Sequence, residues 1–159
     1  MSSTSIRSGR PGDREFVSTL AGRTFGALGR YDHVVPAWLV DPRVQTLVAE
    51  REVAPLGFAM VRLRRSFGGL GPAVGELLAI AVIPEERQHG VGRALLEAAE
   101  GRVHESARVM ILNTAADNVR AQRFFSAAGF EPLRTRRRFY PGGQAAIDMR
   151  KALAPRPVR

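Results

Sequence analysis

The chain has 159 residues, a formal charge of +9 and no cysteine. That length fits one domain whose core needs no metal or disulfide staple. The missing thiols exclude a disulfide framework, a thiolate zinc site and a cysteine nucleophile.

Residues 4–8 read as a short first strand. Pro11-Gly12-Asp13 opens a helix with Asp13 as its N-cap, followed by Phe16, Val17, Leu20 and Ala21 at helical spacing. Gly26, Gly29, Asp32 and Pro36 interrupt residues 25–42, which leaves a loop and a short helix around 35–40. Residues 44–51 and 56–64 alternate as strands, and the short link 52–55 makes them an antiparallel hairpin. Residues 66–72 hold three glycines and a proline, the composition of a loop. Residues 75–83 form a nearly continuous apolar run ending at Pro84, the pattern of a strand covered on both faces. A helix follows over 93–104, then a short strand over 109–112. A second helix spans 118–128, with Ala121, Phe124, Phe125 and Ala128 on one face and Gly129 just past its end. Residues 130–140 and 144–149 close the chain as a strand pair joined through Pro141-Gly142-Gly143. Residues 1–153 are read as one domain and 154–159 as a flexible basic tail.

Of the 24 basic residues, all but Lys151 are arginine. Arg62, Arg64 and Arg65 form one group, and Arg134, Arg136, Arg137 and Arg138 another. No stretch interleaves them with aromatics as a base-stacking platform would, which argues against nucleic acid as the partner. An anionic small ligand accounts for the sign of the charge equally well. His33, His89 and His104 show no ligand spacing, so no metal is expected. No apolar run reaches membrane-helix length, and residues 1–7 lack the apolar core of a secretory signal. These features predict a cytoplasmic protein with no membrane partner.

The segment with chemical content is strand, glycine loop, helix. After the apolar run comes Arg87-Gln88-His89-Gly90-Val91-Gly92 and then the helix. Glycines there let successive backbone N–H groups converge without a Cβ in the way. The helix N-terminus adds its dipole, so the loop suits a pyrophosphate. It is not a P-loop, since no Gly-Lys-Ser/Thr follows. It is not the dinucleotide fingerprint either, which meets Leu95 where a third glycine belongs.

On these residues the sequence resembles the GNAT superfamily of acyl-CoA-dependent N-acetyltransferases. The family's Arg/Gln-x-x-Gly-x-Gly/Ala motif stands here as residues 87–92, preceded by Ala81-Val82-Ile83-Pro84. Its downstream block stands as Asn118, Ala121, Phe124, Phe125, Gly129 and Phe130. The resemblance implies an α/β (α+β) fold: a mixed, mostly antiparallel seven-stranded sheet flanked by helices and splayed between strands four and five. It implies acetyl-CoA as co-substrate, held in that splay. Backbone groups of Ile80, Ala81 and Val82 would pair with the acetyl-pantetheine arm like an added strand. The N–H groups of Gln88, His89, Gly90, Val91, Gly92 and Arg93 would hold the pyrophosphate. Arg87 opens the motif, its side chain read as a solvated charge. Asn118 would bond the cofactor arm, cap the second helix, or both. Phe125 is counted among the cofactor contacts. The partners implied are acetyl-CoA and an amine acceptor, and the resemblance allows a homodimer.

An amine attacks a thioester only after losing its proton, so a base or a water relay is useful. Glu76 is the candidate base. It stands in the apolar strand in alternation with Leu78, Ile80 and Val82, eleven residues before Arg87, where histone-type members of the family carry a catalytic glutamate. Its other reading is a solvent-facing charge at the strand entrance. Many members place a tyrosine acid at the position of Phe125, which has no hydroxyl; Tyr140 or Tyr31 is the substitute candidate. Asn113 stands where some peptide N-terminal acetyltransferases carry a glutamate. Acceptor contacts are expected from residues 25–38 and 134–140, with Tyr31, His33 and Trp38 lining the pocket. The function that follows is acetyl transfer from acetyl-CoA to a primary amine of a small molecule or peptide, by direct attack. The alternatives are a non-catalytic acyl-CoA-binding module, kept open by Phe125, and a basic nucleic-acid-associated protein, whose binding would weaken steeply with salt.

Overall fold

The computed structural model describes residues 2–65 and 71–154. The expected glycine loop falls largely on 66–70 and the expected tail on 155–159, outside the described residues. Strand β1 (Ser5–Ser8) leads through a single 3-10 turn (Pro11–Asp13) into helices α1 (Arg14–Phe25) and α2 (Tyr31–Leu39). Strands β2 (Val44–Arg51), β3 (Ala54–Arg64) and β4 (Ala73–Val82) follow, then α3 (Val91–Val103), β5 (Ala107–Ala115), α4 (Val119–Ala127), β6 (Glu131–Arg136) and β7 (Ala146–Ala152). The seven strands form one sheet in the order β1-β2-β3-β4-β5-β7-β6. Every neighbouring pair is antiparallel except β4–β5, which is parallel because α3 carries the chain back across the sheet. No helix among the described residues is long and apolar enough to cross a membrane.

Each face of the sheet has its own core. On one, Leu95, Leu96, Ala99 and Val103 of α3 pack on Leu47, Ala59, Val61, Leu77, Met110 and Leu112. On the other, Val17, Leu20 and Ala21 of α1 and Val35 of α2 pack on Val48, Phe58, Met60, Ala79 and Ala81. Burial of a leucine such as Leu95 contributes about 1.5–3 kcal/mol. The apolar stripe of α3 therefore does most to fix that helix, and its first turn, against β4.

Several local readings change. The expected short helix around 35–40 is a full α2 with Pro36 inside it. Proline cannot bond the carbonyl four residues back, that of Asp32. The Ser18 hydroxyl of α1 donates to that carbonyl instead, at 3.0 Å, so the helix tolerates its proline. The β2–β3 link is a two-residue turn, Glu52-Val53, with Ala54 and Pro55 already paired in β3. Both turn residues have positive φ, as a type I′ turn requires. A β-branched valine is a poor residue for that conformation, and this disguises the turn in the sequence. Of the last strands, β6 stops well short of the expected 140, and β7 is shifted two to three residues along the chain to Ala146–Ala152. Residues 137–145 form a loop, tied back by Gly142 N–H to Leu28 O (2.9 Å) and by Gln144 Nε2 to Ala27 O (2.7 Å).

Asp13 stands at the N-cap position of α1, but its side chain does not cap that helix. It accepts both arms of the Arg7 guanidinium at 2.8 Å and the Arg10 N–H at 2.8 Å, pinning β1 to the helix entry. The Arg7 hydrogen bonds hold the Asp13 carboxyl below its ordinary value of 3.8, against the opposing effect of burial. A carboxyl depressed in the folded state stabilises fully above its unfolded value, and that stability is lost as pH falls through the folded value. Asp13→Asn is therefore expected to melt below wild type near neutrality. The gap should shrink as pH drops below 3.8, which thermal melts across an acid series will check.

Candidate active site

The cleft is a consequence of strand pairing. β4 bonds to β5 only over residues 73–77. Beyond Leu77, β4 runs on to Val82 paired with β3 alone, and β5 runs on to Ala115 paired with β7 alone. The two strands diverge, and backbone groups on their facing edges are left without a strand partner. A cavity of about 770 Å³ opens there, lined by residues 77–82 of β4, the start of α3 and one face of α4.

The start of α3 supplies donors. Gly90 is its N-cap at φ +84°, with no side-chain cap on the helix. A Cβ at Gly90 would meet nothing, so it is the left-handed backbone that calls for glycine. Gln88 also has positive φ (66°). The first bond of α3 runs from Ala94 N–H to Gly90 O, so the N–H groups of Val91, Gly92 and Arg93 have no intrahelical acceptor. A Cβ on Gly92 would lie 3.4 Å from the Phe124 ring and 3.7 Å from Val82. Among the described residues five arginines line the same cavity, Arg23, Arg87, Arg93, Arg120 and Arg123, and no carboxylate does. Unbonded helix N–H groups ringed by guanidiniums fit a ligand with several phosphates.

The individual candidates fall as follows. Ile80, Ala81 and Val82 edge the cavity, as do Gln88, Gly90, Gly92 and Arg93. Arg87 is not merely solvated: its Nε donates to Val82 O at 3.3 Å, tying the loop to β4. Asn118 caps α4 through Oδ1, which accepts from Ala121 N–H at 3.1 Å. Its side chain also borders both this cavity and the next. Phe125 lines the cavity but is buried, its ring edge-on to Phe124 and Phe130. Two candidates lie apart from the lining. The Val91 side chain is buried in the core, and His89 is exposed, 3.9 Å from Glu86.

A second cavity of about 390 Å³ adjoins the first, and Thr24, Phe25, Asn113, Thr114 and residues 77–79 border both. It gathers Glu76, Tyr31, Trp38 and Tyr140. The alternation that placed Glu76 with Ile80 and Val82 breaks on the way. Met60 faces Ala79 while Val61 faces Leu77, so Leu78 is a bulge residue. Ile80 and Val82 therefore pack on the α3 face, while Leu78, Ala79 and Ala81 pack on the α1 face. The Glu76 carboxylate is not in an apolar setting: Arg62 Nε bonds Oε2 at 2.9 Å and Arg64 lies 3.9 Å from Oε1.

Tyr31 and Tyr140 meet edge-on, ring centroids 6.3 Å apart. Burial, with smaller contributions from Tyr31 and Asp148, pushes the Tyr140 phenol up to about 12. Burial raises Tyr31 as well. Both phenols therefore stay protonated at working pH. His33 is left out: it is exposed and held among Arg30 and Asp32 at the surface. Thr24 lines both cavities, and its Oγ1 is buried without a hydrogen-bond partner among the described residues.

The acetyltransferase (GNAT) family model matches residues 16–130. The chain belongs to the GNAT acetyltransferase family. Across 95 residues this GNAT chain is 36% identical to mycothiol acetyltransferase of Kocuria rhizophila, covering 57% of the chain and 31% of that enzyme. Across 109 residues it is 29% identical to an N-alpha-acetyltransferase of Sulfurisphaera tokodaii, covering 64% of the chain and 65% of that enzyme. The matched segments thus span less than two thirds of either relative. Arabidopsis thaliana NAA60 in complex with acetyl-CoA superposes with a TM-score of 0.79 at 15% identity, covering 95% of this chain and 99% of that one. That likeness shows the fold: the mixed seven-stranded sheet of the GNAT chain is the family's own.

Sequence reasoning about this GNAT domain missed three groups at or next to the cleft. Arg120 and Arg123 stand three apart on α4 and face the cavity together, a signal the helical spacing did contain. Arg23 arrives from the last turn of α1. Asp148 of β7 is the third: it lines neither cavity but is bound by Asn113, which borders both, and by Arg134 and Arg136.

Proposed function

We propose that the chain transfers the acetyl group of acetyl-CoA to a primary amine of a small molecule or peptide, by direct attack in a ternary complex. One observation carries this reading. Among the described residues, a cavity with free helix N–H groups, five arginines and no carboxylate adjoins a cavity holding a carboxylate and two phenols. Acetyl-CoA would supply the activated thioester carbonyl and a thiolate leaving group. The N–H groups from Gln88 to Arg93 would bind its pyrophosphate, and the open β4 edge at Ile80, Ala81 and Val82 its arm. In the adjoining cavity Glu76 would take the amine proton, directly or through a water, as the new N–C bond forms and the C–S bond breaks. Tyr140 would donate a hydrogen bond to the departing sulfur. The transferase part of the reading is supported by the relatives' names, mycothiol acetyltransferase and N-alpha-acetyltransferase.

A panel of primary amines, read out by release of free CoA thiol, tests the proposal. The chain has no cysteine to contribute background. Turnover of at least one amine class is expected. Acetyl-CoA binding without turnover across a broad panel would instead favour a non-catalytic acyl-CoA-binding module.

A further inference from the structure

One cluster on the acceptor side has no part in the chemistry above. Asp148 of β7 stands opposite Asn113 of β5 and Arg134 of β6, so the three residues form a row across the sheet. Its neighbour on the same face, Ala146, packs with Tyr140, Ala115 and Tyr31, which puts the row on the face of the acceptor cavity. The Asp148 side chain is 8% exposed. It accepts the Asn113 amide on Oδ1 and the Nε groups of both Arg134 and Arg136 on Oδ2, each at 2.7 Å. Burial acts to raise the Asp148 carboxyl, and the two arginine hydrogen bonds outweigh it and hold it below its ordinary value.

The arginines are a different matter. Their side chains are 65% and 42% exposed. Each uses Nε on Asp148, and their terminal nitrogens make no hydrogen bond among the described residues. One carboxylate thus faces two guanidiniums, and one positive charge remains. Arg136 is further held over the Phe139 ring, 5.4 Å from its centroid. Phe139 lines the acceptor cavity, as does Asn113. A buried carboxylate that holds two exposed guanidiniums side by side pre-organises them, which lowers the entropy cost of binding an oxyanion.

We propose that Arg134 and Arg136 form an oxyanion-binding fork beside the acceptor cavity, and that the acceptor is an amine that also carries a carboxylate. The inference takes its amine from the transferase reading, and its test reads binding separately. Two fluorescent heptapeptides, one beginning Ser-Glu-Glu and one beginning Ser-Gln-Gln, would be titrated by anisotropy with the full chain in saturating CoA. The acidic peptide is expected to bind about tenfold tighter. That preference should vanish in Arg134→Gln/Arg136→Gln. It should survive in Arg14→Gln/Arg108→Gln, which removes the same charge from exposed positions outside both cavities.

If the fork variant fails to fold, Arg134→Lys/Arg136→Lys keeps both charges without the planar fork, and a reduced preference is expected there. Displacement of the acidic peptide by free glutamate supports an amino acid as the source of the carboxylate. Preference without displacement supports a peptide. Equal binding of the two peptides, equal loss in the charge-matched control, or undiminished preference in the folded fork variant overturns the proposal. Turnover of amines with no acid preference would remove the fork and leave the transferase reading. Acid-selective binding with no turnover would do the reverse.

Discussion

Gly92→Asp is expected to weaken acetyl-CoA binding at least about 100-fold, or about 2.7 kcal/mol, while leaving the fold as stable as before. The two halves of this result come from the same position. Gly92 is the second residue of α3, behind an N-cap with no side chain of its own. A carboxylate there is favourable for the helix, since it meets the positive end of the dipole and can accept from unbonded N–H groups. Those same N–H groups are the proposed pyrophosphate donors, and a charged hydrogen bond of that kind contributes about 1.5–3 kcal/mol. The new carboxylate would occupy them and repel the phosphates. The added Cβ finds ordinary contact, 3.4 Å from Phe124, so sterics contribute little. Gly92→Ser separates the two effects: similar in size but neutral, it should lose far less affinity. Calorimetric titration with acetyl-CoA beside a thermal melt reads both halves. Unchanged affinity in Gly92→Asp would mean that phosphates do not bind at α3.

The contrast between Gly92 and Glu76 shows how far sequence reaches here. The loop at 87–92 is legible because its chemistry is local. Gly90 is required by its own φ, the apolar stripe of α3 by its 3.6 period, and the two lie within one stretch of chain. Whereas the seven-stranded sheet came from the family resemblance, the β2–β3 and β6–β7 pairings were legible in the same way, through alternation and turn residues. Whatever depends on register was not. The bulge at Leu78 arises from how β3 meets β4, and it alone decides that Glu76 and Ile80 belong to opposite faces. The Arg62 partner of Glu76 sits fourteen residues away on the neighbouring strand. Asp148 meets Asn113 of β5 and Arg134 and Arg136 of β6 because β7 inserts between β5 and β6. Tyr140 reaches its site on a loop tied to residues 27 and 28, not on the strand expected for it. Trp38 and His33 share one short helix, and only the turn of that helix separates the residue in the cavity from the one at the surface.

Glu76→Gln is expected to lower kcat/KM about 100-fold near neutral pH, the low end of what a positioned base contributes. Glutamine can still accept from Arg62, so the strand pairing and the acetyl-CoA affinity should persist. The loss should shrink as pH rises. An α-amine titrates near about 7.7–8.0 and a lysine amine near about 10.4, so a growing fraction of acceptor then needs no base. Arg62 holds Oε2, and Oε1 has Arg64 no nearer than 3.9 Å, which leaves that oxygen for the amine or a bridging water. A pH profile of CoA release for wild type and variant decides the matter: parallel curves at equal height would take Glu76 out of the reaction. Tyr140 makes the informative comparison. Its phenol is pushed up to about 12, whereas an ordinary thiol titrates near about 8.5, so outright proton transfer to the leaving thiolate runs uphill. The phenol can stabilise that sulfur by a hydrogen bond but is poorly matched to protonate it. Tyr140→Phe should therefore lose only about tenfold, the equivalent of one such hydrogen bond. The ordering of the two variants is the sharper test. If Tyr140→Phe were the more damaging, departure of the thiolate rather than deprotonation of the amine would limit the reaction.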